Sequence, residues 1–202
     1  MKLYYAPGAC SLAVLIVAEE GKLHLDLEKV DIRTAPHRLQ DGTDFSTIHP
    51  KGYVPVLLPE QGHALTEGVA ILTYLADRSH ASEVDRARLM TDRYRGLEWL
   101  TFIATELHKS FSPWLFHPEY GEQAAAVARS RIAQRFDYLD AHLREHEYLL
   151  GDTFHAADAY CFAIARWAPG KGIDLEPWPA LAAYLERIAA RPAMVAALAR
   201  HG

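Results

Sequence analysis

A thiol placed directly before a helix is the strongest chemical signal in this chain. In Lys2-Leu-Tyr-Tyr-Ala-Pro-Gly-Ala-Cys-Ser11 a short apolar strand runs into Pro7 and Gly8, and an amphipathic helix begins at about Ser11. Cys10 therefore faces unpaired backbone N–H groups and the positive end of a helix dipole, both of which favour thiolate over thiol. The second cysteine, Cys161, lies between Tyr160 and Phe162 and reads as a buried structural thiol.

Three further groupings carry chemistry. His49-Pro-Lys-Gly-Tyr-Val-Pro-Val-Leu57 places Pro55 at the start of an apolar run. Alone, Val54-Pro55 reads as an ordinary edge-strand proline. With a cis bond, which is nearly confined to X-Pro, it would instead present the Val54 backbone to an extended peptide as an added strand. Leu65-Thr-Glu-Gly-Val-Ala-Ile71 opens a helix with Thr66 as N-cap, leaving Glu67 and Gly68 in the first turn. Free N–H groups there can hold a carboxylate, Gly68 allows close approach, and Glu67 can pair with an ammonium. Thr101, Thr105 and His108 recur at i, i+4 and i+7 and so share a helix face, with Lys109 next to them. His142 and His146 have a metal-capable i, i+4 spacing, but no third ligand accompanies them and a solvated face is the preferred reading.

The elements that must position these groups divide the chain. Leu3 to Tyr5 reads as strand, Ser11 to Glu20 as helix and Leu25 to Ile32 as an alternating strand. Arg33 to Thr47 reads as polar loop with a turn or two of helix. Val54 to Leu58 makes a third strand that turns through Glu60-Gln-Gly-His63 into a hairpin with Ala64-Leu65, and Glu67 to Asp77 is helical. Strand, thiol, helix, Val-Pro turn and a second helix opening on Thr-Glu-Gly suggest a thioredoxin-like layer that binds a small γ-glutamyl thiol. Residues 79–85 lack apolar periodicity and read as a linker. From Arg86 onward the period is helical: one long helix reaching Pro113, others over Gln123 to Arg144 and Ala156 to Trp167, and short ones after Pro177 and Pro192. The predicted organisation is a thioredoxin-like domain over 1–78, a linker over 79–85 and an all-α domain over 86–202.

Composition excludes several classes. A formal charge of −5 over 202 residues gives no basic face for nucleic acid. No stretch approaches the ~20 apolar residues of a membrane span. The start of the chain does not read as a signal peptide, and two distant cysteines argue against a disulfide, so a reducing cytoplasm is expected.

The chain resembles a cytosolic glutathione S-transferase of the bacterial beta class. The resemblance runs nearly end to end: Tyr4-Tyr-x-Pro-Gly-x-Cys-Ser11, Pro50-Lys-Gly-Tyr-Val-Pro-Val56, Leu65-Thr-Glu-Gly-Val-Ala-Ile71, Glu98-Trp-Leu-x-Phe102, Glu106-Leu-His-Lys-Ser-Phe-Ser-Pro113, Leu149-Leu-Gly-Asp152 and Ala157-Asp-Ala-Tyr160. It implies the same two-domain fold, glutathione as co-substrate, no metal, and a two-fold homodimer. It implies Cys10 and His108 as catalytic residues. Ser11 stays open as an alternative activator, because other transferase classes hold the glutathione thiolate with a serine or tyrosine hydroxyl. Tyr53, Val54, Pro55, Glu67, Gly68, Thr101, Thr105, Lys109 and Trp167 would bind glutathione or line its cleft, with the electrophile between Cys10, the segment Lys109–Phe116 and Trp167.

The chain also departs from the class pattern. Thr101 stands where the class usually has asparagine, Leu15 replaces a frequent histidine, and Thr34-Ala-Pro-His-Arg-Leu-Gln40 lacks the class's lysine run. His155 stands where a serine or threonine normally caps the following helix, leaving Asp158 half of a reciprocal box. The implied activity is conjugation of glutathione to soft, small hydrophobic electrophiles, with Cys10-dependent thiol–disulfide exchange. The alternatives are a glutathione-dependent disulfide reductase or peroxidase, and a non-enzymatic glutathione-binding regulator.

Overall fold

The computed structural model describes residues 1–79 and 83–202, with side chains outside 83–92. The chain forms two compact units, Met1–Ser82 with Pro192–Gly202, and Glu83–Arg191. Residues 80–82 of the expected linker lie outside the described residues, and Glu83 to Asp85 already belong to the first long helix. Polarity hid that start, although acidic residues suit a helix N-terminus.

The first unit is built on a mixed sheet. Strands β1 (Lys2–Tyr5), β2 (Asp26–Asp31), β3 (Arg38–Leu39) and β4 (Val56–Leu58) lie in the order β3-β2-β1-β4. β1 runs parallel to β2, with Leu3 opposite Leu27, and antiparallel to β4, with Leu3 opposite Leu57. The parallel pair needs a crossover, which is α1 (Leu12–Glu20). Every residue of α1 from Leu12 to Ala18 is buried, because α2 (Gly68–Arg78) and α8 (Pro192–His201) both pack on it. Tyr4, Ala6, Val30, Phe45, Val54 and Val56 form a core cluster at the sheet.

Three expectations change here. The polar stretch after Arg33 carries the edge strand β3 and the 3-10 turn Phe45–Thr47, with Phe45 fully buried. The expected hairpin contracts to one bridge, Leu57 to Leu65. The terminal helix α8 belongs with the first unit and not with the helical region that precedes it in sequence.

The second unit is helical: α3 (Glu83–Phe102), a π-helical segment Ile103–His108, α4 (Lys109–Phe111), α5 (Glu122–Leu143), α6 (Ala156–Ala165) and α7 (Pro179–Ala189). Phe111, Ile132, Phe136 and Leu139 are fully buried. α6 starts on a complete capping box. His155 Nδ1 accepts from the Ala157 N–H at 3.2 Å, and Asp158 Oδ2 accepts from the His155 N–H at 2.7 Å. The half-box expectation is therefore overturned: an imidazole nitrogen does the work of a hydroxyl. Its ring lies against Gly96, where an added Cβ would come within 2.6 Å of His155 Cε1.

Candidate functional site

In the first unit, β1 ends at Tyr5 and the loop through Pro7 and Gly8 delivers Cys10 to the start of α1. Gly8 has φ 76, a left-handed conformation that glycine adopts without cost. The Cys10 carbonyl accepts from the Ala13 N–H at 3.1 Å, so the residue sits on the entry turn of the helix. Its side chain is partly exposed, and Sγ lies 4.0 Å from the Val54 carbonyl. The Val54-Pro55 bond is cis, as the sequence indicated. Thiol and Val54 backbone are thus brought together, although the carbonyl already faces the sulfur.

Ser11 goes the other way. It is fully buried, and its Oγ lies 3.2 Å from the Ala6 carbonyl, 3.3 Å from the Ala6 N–H and 3.1 Å from His201 Nε2. It makes no side-chain cap bond to α1. The Ser11 hydroxyl is thus enclosed within the first unit, whereas the Cys10 side chain is partly exposed.

Glu67 is the N-cap of α2, with φ 66 and no side-chain cap bond. A positive φ at a non-glycine residue is uncommon. The carboxylate accepts from Lys51 Nζ at 2.5 Å and from the Tyr53 hydroxyl at 2.8 Å, and Lys51 Nζ also reaches Thr66 Oγ1 at 3.0 Å. All four groups are at or near the surface. The hydrogen bond to Glu67 raises the pKa of both Lys51 and Tyr53. Thr66, expected as the N-cap, lies one residue before it. Lys51 escaped the sequence reading, although Pro-Lys-Gly-Tyr places it two residues before Tyr53. Gly68 follows as the first residue of α2.

In the second unit, the π-helical segment changes which residues share a face. The i, i+4, i+7 rule assumes 3.6 residues per turn, and a π turn holds more. Thr101 and Thr105 are exposed, with Thr105 Oγ1 donating to the Thr101 carbonyl at 2.9 Å, while His108 turns inward. His108 Nδ1 lies 2.8 Å from the Tyr160 hydroxyl, and its ring stands edge-on to Trp167 at 5.3 Å. Burial, helped by the Lys109 charge, pushes its pKa down to about 4. At neutral pH it is an uncharged imidazole that lends no positive charge to a thiolate. Tyr160 is the partner that spacing did not reveal. Trp167 also meets the buried Phe111 at 5.9 Å and the exposed Phe116 at 5.0 Å, making an aromatic cluster, and Lys109 is exposed.

His142 and His146 do not form a metal pair on one helix. α5 ends at Leu143, the rings stack at 4.3 Å, and each is bonded to a backbone carbonyl, of Leu149 and His142 respectively. They line a cleft of about 680 Å³ within the second unit. Among the described residues no three His, Cys, Asp or Glu side chains gather as a metal site. No helix among them is long and apolar enough to cross a membrane.

Comparisons with known proteins agree with the fold. The family model for the glutathione S-transferase N-terminal domain matches residues 8–78, and that for the C-terminal domain matches 102–192. Glutathione S-transferase GstA of Escherichia coli O157:H7 is 40% identical over 202 residues, covering 100% of this chain and 99% of that protein. A solved bacterial transferase, BphK in a ternary complex, superposes with a TM-score of 0.91 at 38% identity over 100% of both chains. A beta-class enzyme of Sphingomonas chungbukensis gives 0.89 at 37% identity, over 100% of this chain and 99% of that one. A sphingomonad transferase complexed with glutathione also gives 0.89, at 38% identity and the same coverage. The chain belongs to the glutathione S-transferase family of enzymes, in its bacterial beta class.

Proposed function

We propose that this protein conjugates glutathione to soft electrophiles and, through Cys10, exchanges glutathione between thiols and disulfides. The observation that carries the reading is the Cys10 sulfur, partly exposed on the entry turn of α1 and facing the Val54 carbonyl. The cysteinyl part of glutathione would add to the Val54 backbone as a short strand. The γ-glutamyl carboxylate would take the uncapped N–H groups of α2, and its ammonium would displace Lys51 from Glu67. Two lines of support are the glutathione complex of a relative 38% identical and the charged cluster at the start of α2.

In conjugation, the glutathione thiolate attacks the electrophilic carbon and a leaving group such as halide departs. In exchange, the Cys10 thiolate attacks one sulfur of oxidised glutathione, forms a Cys10–glutathione disulfide and releases the other half as thiolate. A cytoplasmic homodimer suits this assignment.

A thiol at this position also favours a second reading, a disulfide reductase or peroxidase in which conjugation is residual. Retention on immobilised glutathione, followed by parallel assays of aryl-halide conjugation and disulfide reduction, separates the two. Retention with conjugation dominant supports the proposal; retention with reduction alone supports the second reading; failure to bind glutathione overturns both.

A further inference from the structure

The loop that carries Cys10 is tied to the far end of the chain. Ser11 and His201 are 190 residues apart in sequence, yet Ser11 Oγ and His201 Nε2 are 3.1 Å apart, and both residues are buried. The hydrogens can be counted. The Ser11 hydroxyl has one proton and two acceptor positions, the Ala6 N–H can only donate and the Ala6 carbonyl can only accept. The assignment that satisfies all three contacts has the Ala6 N–H and His201 Nε2–H donating to Oγ, and Oγ–H donating to the Ala6 carbonyl. His201 is thereby assigned a proton on Nε2.

The geometry gives this contact a consequence. Ser11 closes the loop 6–11 on itself by bonding both backbone groups of Ala6, and Cys10 is the residue just inside that closure. His201 fixes the hydroxyl that makes it. The His201 ring also lies 5.4 Å from that of Tyr5, the last residue of β1. At its other contact, α8 is pinned by Arg200, which bonds Glu19 and the Leu25 carbonyl, away from the loop. The terminal helix, which packs on α1, thus bonds both the body of the unit and the Cys10 loop.

We propose that His201 is a positioning residue for Cys10: through Ser11 it sets the loop that holds the thiol against the Val54 carbonyl. The proposal rests on the reading of Cys10 as the reacting thiol. It predicts that reactivity at Cys10 depends on the hydrogen bond at His201, over and above the stability contributed by α8.

The test compares His201→Leu, His201→Gln and Arg200→Ala with wild type in two readouts. These are the rate of mixed-disulfide formation with oxidised glutathione across pH, and the melting temperature. His201→Leu should slow the reaction about three- to tenfold, the size of one lost neutral hydrogen bond. His201→Gln, whose amide N–H can take the place of Nε2–H, should restore most of the rate. Arg200→Ala should lower the melting temperature and leave the rate unchanged, because its bonds avoid the loop. Equal rates in wild type and His201→Leu, or slowing by Arg200→Ala as large as that by His201→Leu, would overturn the proposal while leaving Cys10 as the reacting thiol. A wild-type protein that forms no adduct would overturn the reading of Cys10 itself. If His201→Leu does not fold, His201→Phe, which keeps a ring beside Tyr5 and lacks the N–H, takes its place: slowing that the Gln variant does not share supports the proposal, and a wild-type rate in the Phe variant overturns it.

Discussion

Three helix starts in this molecule, one in the second unit and two in the first, face the same problem of unsatisfied N–H groups and answer it differently. In the second unit, α6 is sealed: His155 and Asp158 close a reciprocal box, and Asp158, fully buried, also accepts from the Leu149 N–H at 2.9 Å and the Tyr184 hydroxyl at 2.8 Å. In the first unit, neither α1 nor α2 has a side-chain cap. Ser11, a good capping residue by type, turns away to Ala6 and His201, and Glu67 points to Lys51 and Tyr53. A helix start finished by its own side chains is a structural joint. One left open beside a thiol or an exposed carboxylate is available to a ligand. The same contrast separates the two cysteines: Cys10 is partly exposed, while burial pushes the pKa of Cys161 far up and leaves it inert.

The comparison breaks most visibly at Asp158. Asp158→Ala would leave the N–H groups of Leu149 and His155 and the Tyr184 hydroxyl without their acceptor, and should cost roughly 3–5 kcal/mol of stability in chemical denaturation. A loss under about 1 kcal/mol would mean that these donors find other partners. The carboxyl also has a pH signature, since burial raises its pKa from 3.8 to about 6 despite its donors. A carboxyl raised in the folded state contributes most below its ordinary value, and that contribution is lost as pH rises through the folded value. Asp158→Asn removes the titration. The stability difference between wild type and that variant should therefore move against wild type between pH 4 and 6, and a flat difference would contradict the assignment.

At the open helix start the expected effect falls on binding instead. Glu67→Gln keeps shape and loses the charge that would meet the ligand's ammonium, so glutathione should bind at least about tenfold more weakly in titration calorimetry. Melting should change little, because Glu67 is exposed and its ion pair with Lys51 is a surface one. A variant that melts much lower with unchanged affinity would make Glu67 structural and erase the contrast with Asp158. The smallest effect is expected at the cap itself: His155→Ala should cost ~0.5–2 kcal/mol, with conjugation unaltered. Gly96→Ala, which crowds the His155 ring, should reproduce part of that loss. If either variant were more stable than wild type, the imidazole cap would be a liability and not a joint.

The legible parts of this molecule were those written in local pattern. A short apolar run gave β1, alternation gave β2, the 3.6 period gave α5 and α6, and the junction of strand, Cys10 and helix gave the thiol its place. Three features were not local. His108 left the face of Thr101 and Thr105 because the helix passes through a π-helical segment that no residue type announces. Ser11 looked free because the residue that completes its enclosure, His201, comes at the other end of the sequence. His155 looked like a defective cap because Gly96, which makes room for its ring, belongs to another helix. Lys51 was overlooked for the opposite reason: a lysine in a loop is ordinarily a solvated charge, and only the fold brings it to Glu67.

The central claim, that the open start of α1 makes Cys10 the reacting thiol, is tested most directly by intact-mass measurement after exposure to oxidised glutathione at neutral pH. Wild type should gain one glutathione by disulfide exchange, and Cys10→Ala should gain none while still conjugating an aryl halide, because the nucleophile there is the sulfur of glutathione. An adduct of the same size on Cys10→Ala, or its absence from wild type, would contradict the account.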